Sequence, residues 1–166
     1  DSGSLPLLSH ALQKTWERRE GRVMTLAGYQ AAGGVEGAIA KTADTVFDSL
    51  SPEEQTISLD IFSRLVQSGV GSIPTRRRAD FSEFVLSEDQ EEFIRQVLDT
   101  YVQHRLIVTD NPTVELIHEA LISNWPRLME WLEENENDLI LRNRLSSLAA
   151  AWRDNDEQRD FLITGK

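Results

Sequence analysis

Of the three histidines in this chain, one opens its densest functional constellation, Ile117-His118-Glu119, at the end of a β-prone run. His118-Glu119-Ala120-Leu121-Ile122 has the opening of a zinc-protease helix, but a second histidine one turn on is needed to reach the same ion, and Ile122 stands there. His10 and His104 lie far away in sequence, so a three-histidine site would need folding to assemble it. Nucleotide hydrolysis needs a glycine-rich loop wrapped round the phosphates, then a lysine and a hydroxyl residue. Gly28 to Gly33 has the length of that loop, but Gly34 replaces the lysine; Gly165-Lys166 lacks the upstream glycine and a following residue. No apolar strand ends in paired carboxylates, and no Gly-x-Ser-x-Gly elbow occurs. With no cysteine there is no thiolate chemistry either. The chain by itself therefore reads as non-enzymatic, with no catalytic or metal-ligating set. An imidazole at a strand-to-helix junction can still donate to a phosphate oxygen, and its titration range makes it sensitive to nearby charge. The plainer alternative is a buried or capping histidine, since parity with Val114 and Leu116 points His118 to their side of the strand.

The elements that must position these residues are mainly helical. Leu5 to Glu20 reads as a helix because Leu5, Leu8, Leu12 and Trp16 share one face, with Gly21 to end it. Thr25 is the N-cap expected for Leu26 to Ala32, and Gly33-Gly34 breaks the chain before a helix from Val35 to about Leu50. Ser51, Pro52 and Glu54 form a capping box that starts the next helix, whose stripe Ile57, Ile61, Phe62, Leu65 and Val66 stops at Gly69-Val70-Gly71. Ser72 to Arg78 can make a short strand, and Asp80 can cap a brief helix through Phe81 and Phe84. Ser87 and Gln90 start a helix carrying Phe93/Ile94, Val97/Leu98 and Tyr101/Val102. Leu106 to Thr109 and Thr113 to Ile117, separated by Asp110-Asn111-Pro112, read as a hairpin. A helix follows from His118, bent at Pro126, and another from about Asn137 to Trp152 carries Leu141, Leu145, Leu148 and Trp152 on one side. Helix, strand, helix, longer helix, hairpin is the order of a winged-helix domain.

At 166 residues and 40% apolar composition the chain can build a substantial core. The net charge of −11 repels a phosphate backbone, and no apolar run is long enough to span a bilayer. Without cysteine, a reducing cytoplasm is the expected setting. Arg76-Arg77-Arg78 is the concentrated basic patch, so a winged-helix DNA reader is one alternative function. Against it, Glu88-Asp89-Gln90-Glu91-Glu92 would present acids where phosphates lie, and arginines on an exposed edge strand also guard against sheet pairing. A passive helical adaptor, docking through Phe161 to Ile163, is a third reading. The abrupt ends make a piece of a longer polypeptide the expectation.

Leu5-Pro6-Leu7-Leu8-Ser9-His10-Ala11-Leu12, Thr25-Leu26-Ala27-Gly28-Tyr29, Ala31-Ala32-Gly33-Gly34-Val35 and His118-Glu119-Ala120-Leu121-Ile122 with Trp125-Pro126-Arg127-Leu128 resemble the bacterial novel STAND NTPases, AAA+-related signalling ATPases often joined to WD-repeat propellers. The resemblance implies a helical lid over residues 1–50, a winged-helix domain over 51–134 and a C-terminal helical linker over 135–166. In the similar NB-ARC proteins, a Gly-Leu-Pro-Leu proline lies against adenine and a Met-His-Asp histidine touches the ADP β-phosphate. Gly3, Leu5, Pro6 and Leu7 match the first with Ser4 inserted; Ile117, His118 and Glu119 match the second with isoleucine and glutamate substituted. The resemblance thus implies cofactor-binding roles for Leu5, Pro6, Leu7, His118 and Glu119, with ATP or ADP and magnesium held by a P-loop core outside this chain. The partners it implies are that N-terminal core, a C-terminal sensor domain and an oligomer on activation, with neither nucleic acid nor membrane.

Overall fold

The structure, a computed structural model, describes residues 4–67, 73–85 and 88–155. It is mainly helical, with two small antiparallel sheets. Helix α1 (Ser4–Glu17) is followed by α2 (Leu26–Ala32) and α3 (Gly34–Ser49). Thr25 caps α2 as its type predicts, its hydroxyl accepting from the Gly28 N–H at 3.0 Å. Gly33 ends α2 and begins α3 at φ +101°, where a Cβ would lie 2.8 Å from the Gly37 carbonyl carbon. The predicted break at this glycine pair is therefore a steric requirement.

Helix α1 stops at Glu17, three residues short of the expected end. The Arg18 and Arg19 N–H groups bond back to the Thr15 and Trp16 carbonyls, and Glu20 and Val23 then pair across Gly21, at φ +59°. The larger departure is its orientation. The face predicted from Leu5, Leu8, Leu12 and Trp16 exists, but it points outward, whereas His10, Ala11 and Thr15 are buried. Packing against α2 and α3 is close enough that small and hydroxyl-bearing residues fill the contact, with Thr15 Oγ1 donating to the Ala11 carbonyl at 2.7 Å.

Helix α4 (Pro52–Arg64) opens with both halves of the capping box, Glu54 N–H to Ser51 Oγ and Ser51 N–H to Glu54 Oε2. It ends at Arg64 rather than running on, because Val66 enters β1 (Val66–Gln67), paired with β2 (Thr75–Arg76). The predicted stop at Gly69-Val70-Gly71, Ser72 and the expected cap at Ser87 fall outside the described residues. Asp80 caps a short 3-10 turn over Phe81–Glu83, as expected. Helix α5 (Glu88–Gln103) buries Ile94, Val97, Leu98 and Tyr101. The hairpin forms from β4 (Ile107–Asp110) and β5 (Thr113–Leu116), and β3 (Ala79–Asp80) adds to the far edge of β5, giving the order β3-β5-β4.

The helix predicted from His118 begins at Ala120 and divides into α6 (Ala120–Asn124) and α7 (Pro126–Glu134). Trp125 between them is extended, at φ −104° and ψ 98°, as a residue before proline prefers. In α8 (Glu136–Asp154) the predicted row is displaced from the core: Leu141 and Leu145 are exposed and Leu139 is buried instead. Arg142 fastens α8 to α4 through Ser63 and Asp60.

One buried cluster runs through position 50 without a break. Ile39, Ala43, Val46 and Phe47 share it with Phe62, Tyr101, Leu116 and Trp125. Phe62 meets the rings of Tyr101 and Trp125 edge-on at 4.9 and 5.1 Å, geometry worth about 0.5–1.5 kcal/mol per pair beyond area burial. Among the described residues no helix is long and apolar enough to cross a membrane.

Candidate functional site at the junction of α1, α3 and the end of β5

The alternation of β5 buries Val114 and Leu116 and leaves Glu115 outside to pair with Arg78. The Ile117 N–H still bonds to the Leu106 carbonyl at 3.1 Å, after which the chain leaves the sheet. His118 is therefore not carried into the core as strand parity predicts; it is half-buried in the turn before α6, its carbonyl accepting from the Leu121 N–H at 3.1 Å. Burial lowers its pKa, the Ile117 carbonyl works the other way, and the Arg76 guanidinium lowers it further.

His10 sits on the buried face of α1, 4% exposed. Its Nε2 lies 3.0 Å from the Thr42 hydroxyl, which donates its own proton to the Ala38 carbonyl at 2.8 Å. The hydroxyl can then only accept from the ring, so His10 carries its proton on Nε2. Burial is the main cause that lowers its pKa; Lys14 and then His118 add to it, against Glu17 and the Ala38 carbonyl. Burial thus disfavours the charged form of both imidazoles. Among the described residues no group of three His, Asp or Glu could hold a metal ion.

The other expected site residues are divided between the two ends of this junction. Pro6 lies in the first turn of α1, one turn before His10, Leu5 is 73% exposed, and Leu7 packs against the core; Gly3 is outside the described residues. Glu119 is exposed and accepts from the Arg76 N–H at 3.4 Å, a long contact that engages β2.

Spacing did not reveal what holds this junction closed. Trp125, fully buried, donates its indole N–H to Asp44 Oδ1 at 2.8 Å, and Arg127 donates to Asp48 Oδ1 at 2.7 Å while lying 4.7 Å above the Phe47 ring. Both aspartates are on α3 and both partners flank Pro126, so α3 is stapled to the α6–α7 corner. An acid pair four residues apart on a half-exposed helix face was the available signal.

The arginine run is engaged locally, Arg77 and Arg78 on acids and Arg76 on a backbone carbonyl. Arg77 Nη2 donates to both Glu83 carboxylate oxygens, at 2.8 and 3.0 Å, Arg78 pairs with Glu115, and the Arg76 guanidinium reaches the Leu116 carbonyl. This is the edge-strand arrangement weighed against a phosphate-binding patch.

The sequence model of the Novel STAND NTPase 1 family matches residues 1–160. The chain belongs to that family. No curated protein and no solved structure matches it. Family membership brings nucleotide binding and hydrolysis to the protein as a whole.

Proposed function

We propose that this chain is the lid and winged-helix part of a cytoplasmic STAND signalling ATPase, closing over ADP or ATP held by a P-loop core elsewhere in the polypeptide. The observation that carries the reading is that α1, with Pro6 in its first turn, packs on α3, and that α6, which starts two residues after His118, packs on the same helix. A proline against adenine and a histidine at the diphosphate need such a meeting of residues far apart in sequence. The β3-β5-β4 sheet order and the hairpin next to α5 support the winged-helix assignment.

The outward apolar face of α1 supports it from a second direction. Leu5, Leu8, Leu12 and Trp16 are 73%, 40%, 43% and 47% exposed along one side of α1. A continuous apolar face of this kind marks a surface meant to be covered. We assign its cover to the nucleotide-binding core, because the same helix carries Pro6. His118 then favours the ADP-bound closed arrangement, and exchange to ATP releases it, which requires different affinities in the two arrangements.

The test is His118→Ala in the full-length protein. Faster ADP release and raised unstimulated signalling are expected; unchanged ADP retention would overturn the clamp.

A further inference from the structure

A cleft of about 230 Å³ opens where the later turns of α1 meet α3 and the end of α5. Lys14 on α1, Arg18 just after it and Lys41 on α3 line the cleft, and His104 closes it from the far side of position 50. Three cations converging on one small space stand out in a chain of net charge −11. Glu17 is the single carboxylate in the lining, and it pairs with Lys14 at 3.0 Å, leaving two positive charges unmatched there.

Hydrogen-bond capacity points the same way. Lys41 Nζ gives one bond to the Ala31 carbonyl at 2.8 Å, and Arg18 gives one to the Lys14 carbonyl at 3.1 Å. An ammonium has three donors and a guanidinium five, so most remain for a ligand. His104 donates Nδ1–H to the Thr100 carbonyl at 2.8 Å, which leaves Nε2 as its second ring nitrogen. Thr45 adds a hydroxyl at the rim. A plainer account would have these cations merely cap the carbonyl ends of α1 and α2. Capping explains one donor on each of Arg18 and Lys41, and the Glu17 pair accounts for Lys14, but neither explains why all three line one cleft beside His104.

We infer that this cleft is an anion site for a small phosphate-bearing molecule, separate from any nucleotide contact at Pro6 and His118. It is smaller than the few hundred Å³ of a drug-sized pocket, which suits a phosphate or diphosphate group rather than a whole nucleotide. Lys14 lies two turns beyond Pro6, about 12 Å along the axis at 1.5 Å per residue. Because the cations belong to α1, its following turn and α3, a bound anion draws these helices together, with His104 on the α5 side at its edge as a reporter.

The experiment titrates inorganic phosphate and pyrophosphate into the purified chain at fixed ionic strength, reading the His104 ring resonances by NMR and the melting temperature. Saturable movement of His104 with a rise in Tm is expected, pyrophosphate binding more tightly than phosphate. Arg18→Gln with Lys41→Gln keeps an amide donor for each backbone carbonyl while removing the charge; it should weaken binding about tenfold or more. Arg78→Ala, on an exposed pair away from the cleft, should bind as the parent does. A His104 response that fails to saturate, or that survives the double substitution unchanged in a folded variant, would overturn the site.

Discussion

Asp44→Ala is the sharpest probe of how the first three helices are held to the rest. The Asp44 carboxylate accepts the indole N–H of Trp125 at 2.8 Å, and Trp125 is 0% exposed, so the N–H loses its acceptor at a place water can enter only from the half-exposed Asp44 side, which makes the full cost of an unsatisfied donor an upper limit. Leaving a buried donor unsatisfied costs about 1–3 kcal/mol. For a domain of this size each kcal/mol lowers Tm by about 2–4 °C, so a fall of about 2–12 °C is expected. Asp44→Asn is the control. It keeps the oxygen that Trp125 needs and removes only the charge facing Arg127 at 3.7 Å, a pair whose side chains are 40% and 43% exposed. Screening limits that pair to below about 1 kcal/mol. Differential scanning calorimetry on the two variants decides the matter. Equal losses would mean that charge rather than the buried hydrogen bond matters, and an unshifted Asp44→Ala would refute the staple altogether.

Other outcomes follow from the same geometry. Gly33→Ala forces a side chain into φ +101° with its Cβ against Gly37, so it should cost well over the roughly 1 kcal/mol of an ordinary helix-end substitution, measured by urea unfolding. His10 and His118 both have folded pKa values below 6.5, so the unfolded chain binds more protons, and stability should fall as pH drops below 6.5 toward the folded values. His118→Ala should flatten that slope, and a slope unaltered by it and by His10→Gln would contradict the assignment. Exposed Leu12→Gln with Trp16→Gln should change the isolated chain's stability by no more than about 0.5 kcal/mol and lower its binding of a hydrophobic dye, whereas a collapse in Tm would show the face to be core.

Much of the architecture was legible because it rests on local chemistry. The caps at Thr25 and Ser51, the break at Gly33-Gly34, the turn after Asp80 and the hairpin around Asn111-Pro112 each depend on a few neighbouring residues, whose backbone preferences act wherever the segment is placed. The family words around Pro6, Gly33 and His118 were equally visible, since they are runs of contiguous residues. Periodicity located a face on α1 and a row on α8 but could not say which way either looked: Leu12, Trp16, Leu141 and Leu145 face out while His10, Ala11 and Leu139 face in. A repeat of three and four defines a stripe on a cylinder, and only the neighbours packed against that cylinder decide whether the stripe is covered.

The site divides along the same line. Residue type alone determined that the given sequence carries histidines but neither a phosphate loop nor a thiolate. Tertiary structure decided that His118 stops short of the core and that Asp44 and Asp48 grip Trp125 and Arg127 across about eighty residues of sequence. Those pairings depend on where separate helices come to rest, which is settled by filling one common core and leaves no trace in the spacing of either partner.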